Sequence, residues 1–183
     1  MSLPYKAIMT SDKQDWETPQ ELFDNLNKEF DFELDAFATD KNAKCKHYFT
    51  ERDDSFQQDW TKYKSIFINP PYTSKVQDKV LEKINDTISH PDWSGVIVLL
   101  IPARTDTKRW HDYIFNKADD IRFIKGRLKF EVDGIPRGSS TFPSAIIVYD
   151  HRKRKEVSEI LKENEVSSNE ISSAESSFEL YVD

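Results

Sequence analysis

The chain has little glycine and cysteine, and each shortage excludes a class of protein. Its 183 residues contain four glycines and neither the GxGxxG nor the GxxxxGK[ST] phosphate-binding pattern, which disfavours nicotinamide and P-loop nucleotide enzymes. A single cysteine, Cys45, excludes an internal disulfide and a cysteine-rich zinc site, and we expect no metal. The longest apolar run, 96–102, is too short for a bilayer, and the amino terminus has no signal-peptide pattern, so a cytoplasmic protein without membrane contact is expected.

Charge is distributed unevenly along the chain. The net charge is −7, but residues 101–155 carry 13 Lys and Arg against 7 Asp and Glu, a local excess of +6. The segments on either side, 1–100 and 156–183, carry −6 and −7. Because electrostatic attraction to phosphates depends on local charge, the basic third of the chain keeps a nucleic-acid partner possible.

Strands and helices alternate in the predicted secondary structure. Thr18 as N-cap, Pro19 at the first helical position and Glu21 in capping-box spacing predict a helix start. The expected strands cover 32–38, 47–50, 66–68, 95–101, 121–124 and 145–149, and the other helices 76–88 and 108–115. This alternation predicts an α/β domain over 1–155 with a mostly parallel sheet, closed by an antiparallel pair. Residues 156–183, acidic and serine-rich, are expected to form a disordered tail.

The segment Asn69-Pro70-Pro71-Tyr72, here called the NPPY segment, is the most informative part of the sequence. It directly follows a short apolar strand, at the sheet edge where open α/β sheets bind ligands. The Asn69 side-chain oxygen and the Pro70 carbonyl could accept the hydrogens of an amino group on a planar ring, and Tyr72 could stack on that ring. Such acceptors localise the nitrogen lone pair and stabilise the positive charge that develops during attack. The alternative is a simple Pro-Pro turn with a packed aromatic ring.

Three other segments contain weaker candidates for a cofactor site. Asp35 ends the first strand and Phe37 follows it, a position where an acid commonly holds a polar group of a cofactor. Residues 15–19 provide a helix amino terminus that suits a carboxylate. Residues 53–60 could place an acid near an adenine amino group. Each segment alone also fits an ordinary strand end, helix cap or solvated acidic loop.

Basic residues follow two later strands. Arg104 comes after the strand at 95–101, and Arg127 and Lys129 come after the strand at 121–124. Because both strands end at the same sheet edge, these side chains are candidates for phosphate contacts. A solvated basic rim is the alternative.

In their order along the chain, these segments resemble the small phage-type DNA N6-adenine methyltransferases of the Dam family. The resemblance runs from about Trp16 to Tyr149. It rests on the following segments: Trp16-Glu17-Thr18-Pro19, Leu34-Asp35-Ala36-Phe37-Ala38, Asn42-Ala43-Lys44-Cys45, Tyr48-Phe49-Thr50, the NPPY segment, 100–107, 126–130 and Phe142-Pro143-Ser144. The NPPY segment alone is moderately specific, and the ordered set is highly specific.

The resemblance implies a class I methyltransferase fold, with seven mostly parallel strands, an antiparallel last strand and helices on both faces. It implies S-adenosylmethionine (SAM) as cofactor and double-stranded DNA with a flipped adenine as partner. Asn69, Pro70, Pro71 and Tyr72 would be catalytic. The implied cofactor residues are Trp16, Thr18, Pro19, Asp35, Ala36, Phe37, Asp54 and Ser55. The implied nucleic-acid residues are Arg104, Lys108, Arg127, Lys129 and Phe142.

Two departures from the family pattern and two alternative functions stay open. The first strand lacks the glycine-containing turn common among SAM enzymes, and we expect no separate target-recognition domain in 183 residues. The amino nitrogen of an RNA base or of a protein glutamine amide also has a delocalised lone pair, as the adenine amine does, so either could be the substrate. A degenerate methyltransferase fold that only binds a partner is the non-enzymatic alternative.

Overall fold

The computed structural model describes residues 16–132, 134–136, 138–152 and 160. The chain divides between Asp150 and His151 into two compact units, and all strands described below belong to the first. The expected tail at 156–183 lies outside the described residues apart from Ile160. Within the described ranges, no helix is long and apolar enough to cross a membrane.

Six strands form one mixed sheet. They are β1 (Leu34–Asp35), β2 (His47–Tyr48), β3 (Ser65–Ile68), β4 (Val96–Pro102), β5 (Asp120–Phe123) and β8 (Ser144–Asp150). Their order is β2-β1-β3-β4-β8-β5. The first four neighbours pair in parallel, and β8 is antiparallel to both β4 and β5. This confirms an α/β fold with a mostly parallel sheet and an antiparallel last strand.

The resemblance implies seven strands, whereas the main sheet has six among the described residues. Two further strands, β6 (Glu131–Val132) and β7 (Ile135–Pro136), form a separate hairpin. The predicted first strand at 32–38 shortens to two residues. The predicted antiparallel pair of the strands at 121–124 and 145–149 is confirmed: β8 lies between β4 and β5 and is antiparallel to both, so β5 runs in the same direction as β4.

Helices cover both faces of the sheet, as expected. Helix α1 (Gln20–Phe30) and helix α2 (Ser74–Ile88) pack against opposite faces. Side chains of a strand alternate between the two faces, so Val98 of β4 packs in the α1 layer and Ile97 in the α2 layer. All seven residues of β4 are buried, which explains its continuous apolar sequence.

The predicted helix at 108–115 has an unusual centre. Residues Trp110–Ile114 form a π-helical turn, in which the Phe115 amide donates to the Trp110 carbonyl over 2.8 Å. Trp110 is fully buried, and its indole N–H donates to the Pro102 carbonyl at the end of β4. This contact anchors the segment that follows β4 to the end of that strand.

The carboxyl ends of β1 to β5 open on one edge of the sheet, together with the amino end of β8. The order of the strands therefore brings the segments after β1, β3, β4 and β5, and the segment before β8, to the same edge. Every candidate residue at a strand end belongs to one of these segments.

Candidate active site

A cleft at this edge joins three of the segments singled out in the sequence. Its lining residues are Trp16, Glu17, Thr18, Asp35, Phe37, Asn42, Lys44, Phe67 and Asn69. They come from the approach to α1, from the end of β1 with the loop after it, and from the end of β3. The cleft opens to solvent, and the empty space in it and at its mouth amounts to about 250 Å³.

The Asn69 side chain is held by three hydrogen bonds. Its Nδ2 donates to the Trp16 carbonyl over 3.0 Å and to the Thr18 Oγ1 over 2.9 Å. Its Oδ1 accepts from the Tyr72 hydroxyl over 2.7 Å. Because both amide hydrogens are engaged, the side chain has a fixed orientation, and Oδ1 keeps a second lone pair for another donor.

Thr18 does not cap α1, contrary to the sequence prediction. The helix begins at Gln20, and Pro19 occupies the N-cap position without a side-chain cap hydrogen bond. Thr18 is 3% exposed, and its hydroxyl accepts from Asn69 instead. The Thr18 hydroxyl therefore bonds to Asn69, which follows β3, and does not cap the helix.

Tyr72 lies in a cluster of aromatic rings. Its ring centroid is 5.8 Å from that of Phe130 and 5.4 Å from that of Phe142, both edge-on, and Phe130 also contacts Trp16. Burial raises the pKa of the Tyr72 phenol well above its usual value, so the hydroxyl stays a neutral donor to Asn69. Gln77 of α2 donates to the Tyr72 carbonyl over 2.8 Å. The NPPY segment is thus fixed at both its first and last residues.

Asp35 is a buried carboxyl at the end of β1, with 3% of its surface exposed. Its Oδ1 accepts from the Phe37 amide over 3.4 Å and its Oδ2 from the Lys44 amide over 3.1 Å. Loss of solvent raises its pKa to about 6, an effect that these two hydrogen bonds only partly oppose. Asp35 therefore titrates close to neutral pH.

Asp54 and Ser55 are not among the residues that line the cleft. Asp54 caps a short 3₁₀ turn by accepting from the Phe56 amide, and the carbonyl and hydroxyl of buried Ser55 accept from the Trp60 indole. The Phe56 ring lies 5.4 Å from the Phe37 ring. The turn therefore adjoins the cleft through Phe37. Two other predicted cofactor residues flank the cleft: Ala36, fully buried, and Pro19.

The predicted nucleic-acid residues reach the same edge, but their exposure differs. Arg104, Lys108, Arg127 and Lys129 are exposed. Phe142 is half-buried and belongs to the aromatic cluster around Tyr72. This geometry gives Phe142 a place beside the NPPY segment and leaves the four cations facing solvent.

The β6–β7 hairpin is attached to the site by contacts that the sequence does not indicate. Glu17 and Glu131 exchange two backbone hydrogen bonds of 3.0 Å, and the Gly134 amide donates to the Glu17 carboxylate. The Gln20 amide at the start of α1 also donates to the Glu131 Oε1 over 3.4 Å. The helix amino terminus thus already faces a carboxylate of this chain.

Four lining residues were absent from the predicted site: Glu17, Asn42, Lys44 and Phe67. Three of them lie in segments that carry the family resemblance, and this was the only signal for them in the sequence. Phe67 belongs to β3 and looked like an ordinary core residue.

Comparison with known proteins identifies a family. The family model described as DNA N-6-adenine-methyltransferase (Dam) matches residues 6–174. The chain is 28% identical over 133 residues to the DNA N-6-adenine-methyltransferase of Escherichia phage T1, covering 71% of this chain and 53% of that protein. It is 30% identical over 116 residues to the protein of the same name from Haemophilus phage HP1, covering 62% and 64%.

A shorter match extends the set. Over 63 residues the chain is 38% identical to the putative methyltransferase YfdM of Escherichia coli, covering 31% of this chain and 69% of that protein. The matches to the two phage proteins span between half and two thirds of their lengths. Because the family model covers most of the chain, the protein belongs to the DNA N-6-adenine-methyltransferase (Dam) family.

Proposed function

We propose that the protein transfers a methyl group from SAM to the exocyclic N6 nitrogen of adenine in DNA. The observation that carries the proposal is the fixed Asn69 amide at the rim of the cleft, with one acceptor lone pair available. Family membership supports both the reaction and the substrate. We also propose the class I methyltransferase arrangement of the sheet, which the order of its six strands supports.

The chemistry of the cleft fits SAM. SAM combines an ammonium, a carboxylate and an adenosine ring system, and the lining residues include the acids Asp35 and Glu17, the cation Lys44 and the aromatic Phe37. When bound, SAM supplies an electrophilic methyl group on a sulfonium. Of the two acids, Asp35 is the better candidate for a cationic group of the cofactor, because it is buried among the lining residues whereas the Glu17 carboxylate accepts from the Gly134 amide of the hairpin.

Asn69 and Pro70 would act on the target amine. The lone pair of an adenine amino group is delocalised into the ring, so the amine is a weak nucleophile. Hydrogen bonds from that amine to the Asn69 Oδ1 and the Pro70 carbonyl localise the lone pair and stabilise the developing positive charge. After transfer the nitrogen is acidic and loses its proton without a strong base.

Tyr72 would position the adenine ring. Its hydrogen bond to Asn69 and its edge-on contacts with Phe130 and Phe142 hold the tyrosine ring before a base arrives. Stacking of a base on an aromatic side chain contributes roughly 1–3 kcal/mol. In duplex DNA this site requires a flipped adenine, which costs a few kcal/mol.

The direct test is methylation by the purified protein. Incubation with SAM and duplex DNA should yield N6-methyladenine, measured by mass spectrometry of digested nucleosides. Parallel incubations with RNA and with protein extracts separate the alternatives, since a methylated RNA base or a methylated glutamine in place of N6-methyladenine would contradict DNA as substrate. Absence of SAM binding at millimolar concentration would favour a binding module without catalysis.

DNA binding should depend on the cations after β5. We expect the double variant Arg127→Gln/Lys129→Gln to weaken binding and to reduce the slope of log K against log salt by about 2, one unit per lost phosphate contact. Both side chains are exposed at the edge that carries the cleft. The measurement is fluorescence anisotropy with labelled duplex DNA over a series of salt concentrations.

A matched control is available at the opposite edge. Lys62 and Lys64 are exposed and precede β3, so Lys62→Gln/Lys64→Gln removes the same charge from the amino-end edge of the sheet. Equal slopes for the two double variants would show that DNA does not bind at the carboxyl-end edge.

A further inference from the structure

Lys44 occupies a special position in the cleft. Among the described residues that line it, Lys44 alone carries a positive charge. Its backbone amide donates to the Asp35 Oδ2 over 3.1 Å, which fixes the loop after β1 to the end of that strand. The side chain is half-buried, and its Nζ donates to the Gln20 Oε1 over 2.7 Å. The ammonium is therefore held beside the start of α1, close enough to Asp35 for its charge to favour the ionised form of that carboxyl.

The Nζ group keeps donor capacity in this arrangement. Gln20 is neutral, and its Nε2 donates to Asp24 over 2.7 Å, so its Oε1 is turned toward Lys44. A lysine ammonium has three N–H donors, and one of them is directed to Gln20. The charge is thus oriented by an amide that does not neutralise it.

The start of α1 is a poor second site for an anion. The Gln20 amide already faces the Glu131 Oε1, and the paired backbones of Glu17 and Glu131 hold this carboxylate in place. Another carboxylate there would lie beside a like charge, and with Glu17 and Asp35 the surroundings are acidic. Repulsion of this kind is costly where water is partly excluded.

From these contacts we propose that Lys44 binds the carboxylate of the amino-acid end of SAM, with Gln20 orienting its ammonium. The inference rests on the proposed function and deepens it, because it assigns an anion-binding role to the loop after β1. Asp35 and Lys44 are then two opposite charges in the lining of one cleft, which suits the ammonium and carboxylate of one amino-acid group. The amino terminus of α1 instead faces the Glu131 carboxylate of the β6–β7 hairpin.

The test compares two ligands that differ only in the carboxylate, SAM and decarboxylated SAM. Calorimetry with the full chain should show that the wild type binds SAM about 10- to 100-fold more tightly, the range expected for a charge-assisted hydrogen bond. Lys44→Met should weaken SAM binding by the same factor and leave the affinity for decarboxylated SAM unchanged. Lys44→Arg should retain most of the preference, because it keeps the charge.

Lys41→Met is the matched control, since Lys41 is exposed in the same loop and does not line the cleft. It should bind both ligands as the wild type does. Equal affinities of the wild type for both ligands, or equal weakening of both by Lys44→Met, would overturn the role of Lys44 alone. Failure of the wild type to bind either ligand would overturn the proposed function and this inference together.

Discussion

Asn69→Ala is expected to lower kcat/KM for DNA methylation by about 10²–10³-fold, the usual effect of removing one oriented hydrogen-bonding group from a charged transition state. Alanine removes the Oδ1 acceptor and with it the means of localising the lone pair of the target amine. It also leaves the Tyr72 hydroxyl and the Trp16 carbonyl without their Asn69 hydrogen bonds. The rate should be measured as methyl incorporation into an oligonucleotide duplex at saturating SAM.

Binding of the cofactor distinguishes a catalytic loss from a folding loss. We expect Asn69→Ala to bind SAM within a few fold of the wild type in calorimetry, because the acids and Lys44 are unchanged. Asn25→Ala, at an exposed position of α1, is the control for an asparagine exchange and should be fully active. Wild-type turnover by Asn69→Ala would refute the assignment of Asn69 to the amine.

Two conservative changes separate the acceptor from its supports. Thr18→Val removes one of the two acceptors of the Asn69 amide hydrogens and keeps the shape of the side chain, so a loss of about tenfold, carried by kcat, is expected. Tyr72→Phe keeps the stacking ring and removes the hydroxyl bonded to Oδ1, and its effect should be smaller than that of Tyr72→Ala. We expect the loss of activity to be largest for Asn69→Ala, intermediate for Thr18→Val and smallest for Tyr72→Phe. This order would show that the amide oxygen acts directly on the substrate.

Sequence patterns predicted the elements whose signal is local. The strands β3, β4 and β8 are continuous apolar runs, because both of their faces are covered by helices. The NPPY segment and Asp35 were placed correctly at strand ends, since a parallel sheet brings all such ends to one edge. The two-residue β1 was overestimated, as the flanking Phe32 and Ala38 are buried without belonging to the strand.

Contacts between distant segments could not be predicted. Glu17 pairs with Glu131, more than a hundred residues away, and neither residue has a periodic or compositional signal for that bond. The capping pattern at Thr18 was real as a pattern, but the hydroxyl bonds to Asn69 because the chain returns there after β3. The role proposed for Lys44 likewise depends on Gln20 and Asp35, which only the folded chain brings together.

Asp35→Asn should abolish a loss of stability, about 3 kcal/mol in all, that the wild type undergoes as rising pH ionises Asp35. The folded-state pKa of Asp35 is about 6 against an ordinary value of 3.8, because burial removes water from the carboxylate. One pKa unit corresponds to about 1.4 kcal/mol. Between pH 4 and pH 6 the unfolded chain has released the proton that the folded chain still holds, so the wild type loses stability as pH rises through this window. Asparagine does not titrate and escapes this loss.

Denaturant unfolding of both proteins at several pH values provides the measurement. The free energy of unfolding of Asp35→Asn, minus that of the wild type, should increase by about 2 kcal/mol from pH 4 to pH 7, since part of the full effect already falls below pH 4. Other carboxyl groups are present in both proteins and cancel in this difference. The amide also turns one donor toward the Phe37 or Lys44 N–H, but this penalty is the same at every pH. Asp86→Asn, at an exposed position of α2, controls for the exchange itself.

Asp35→Asn should weaken cofactor binding, although it stabilises the fold near neutral pH relative to the wild type. If the ionised Asp35 binds the ammonium of SAM, then SAM affinity of the wild type should fall as pH drops below about 6, and Asp35→Asn should bind SAM weakly at every pH. In the proposed site, the cationic ammonium of SAM would stabilise the ionised carboxylate that burial disfavours. A constant stability difference between pH 4 and pH 7 would show that Asp35 is not desolvated, whereas wild-type SAM affinity in Asp35→Asn would remove it from the cofactor site.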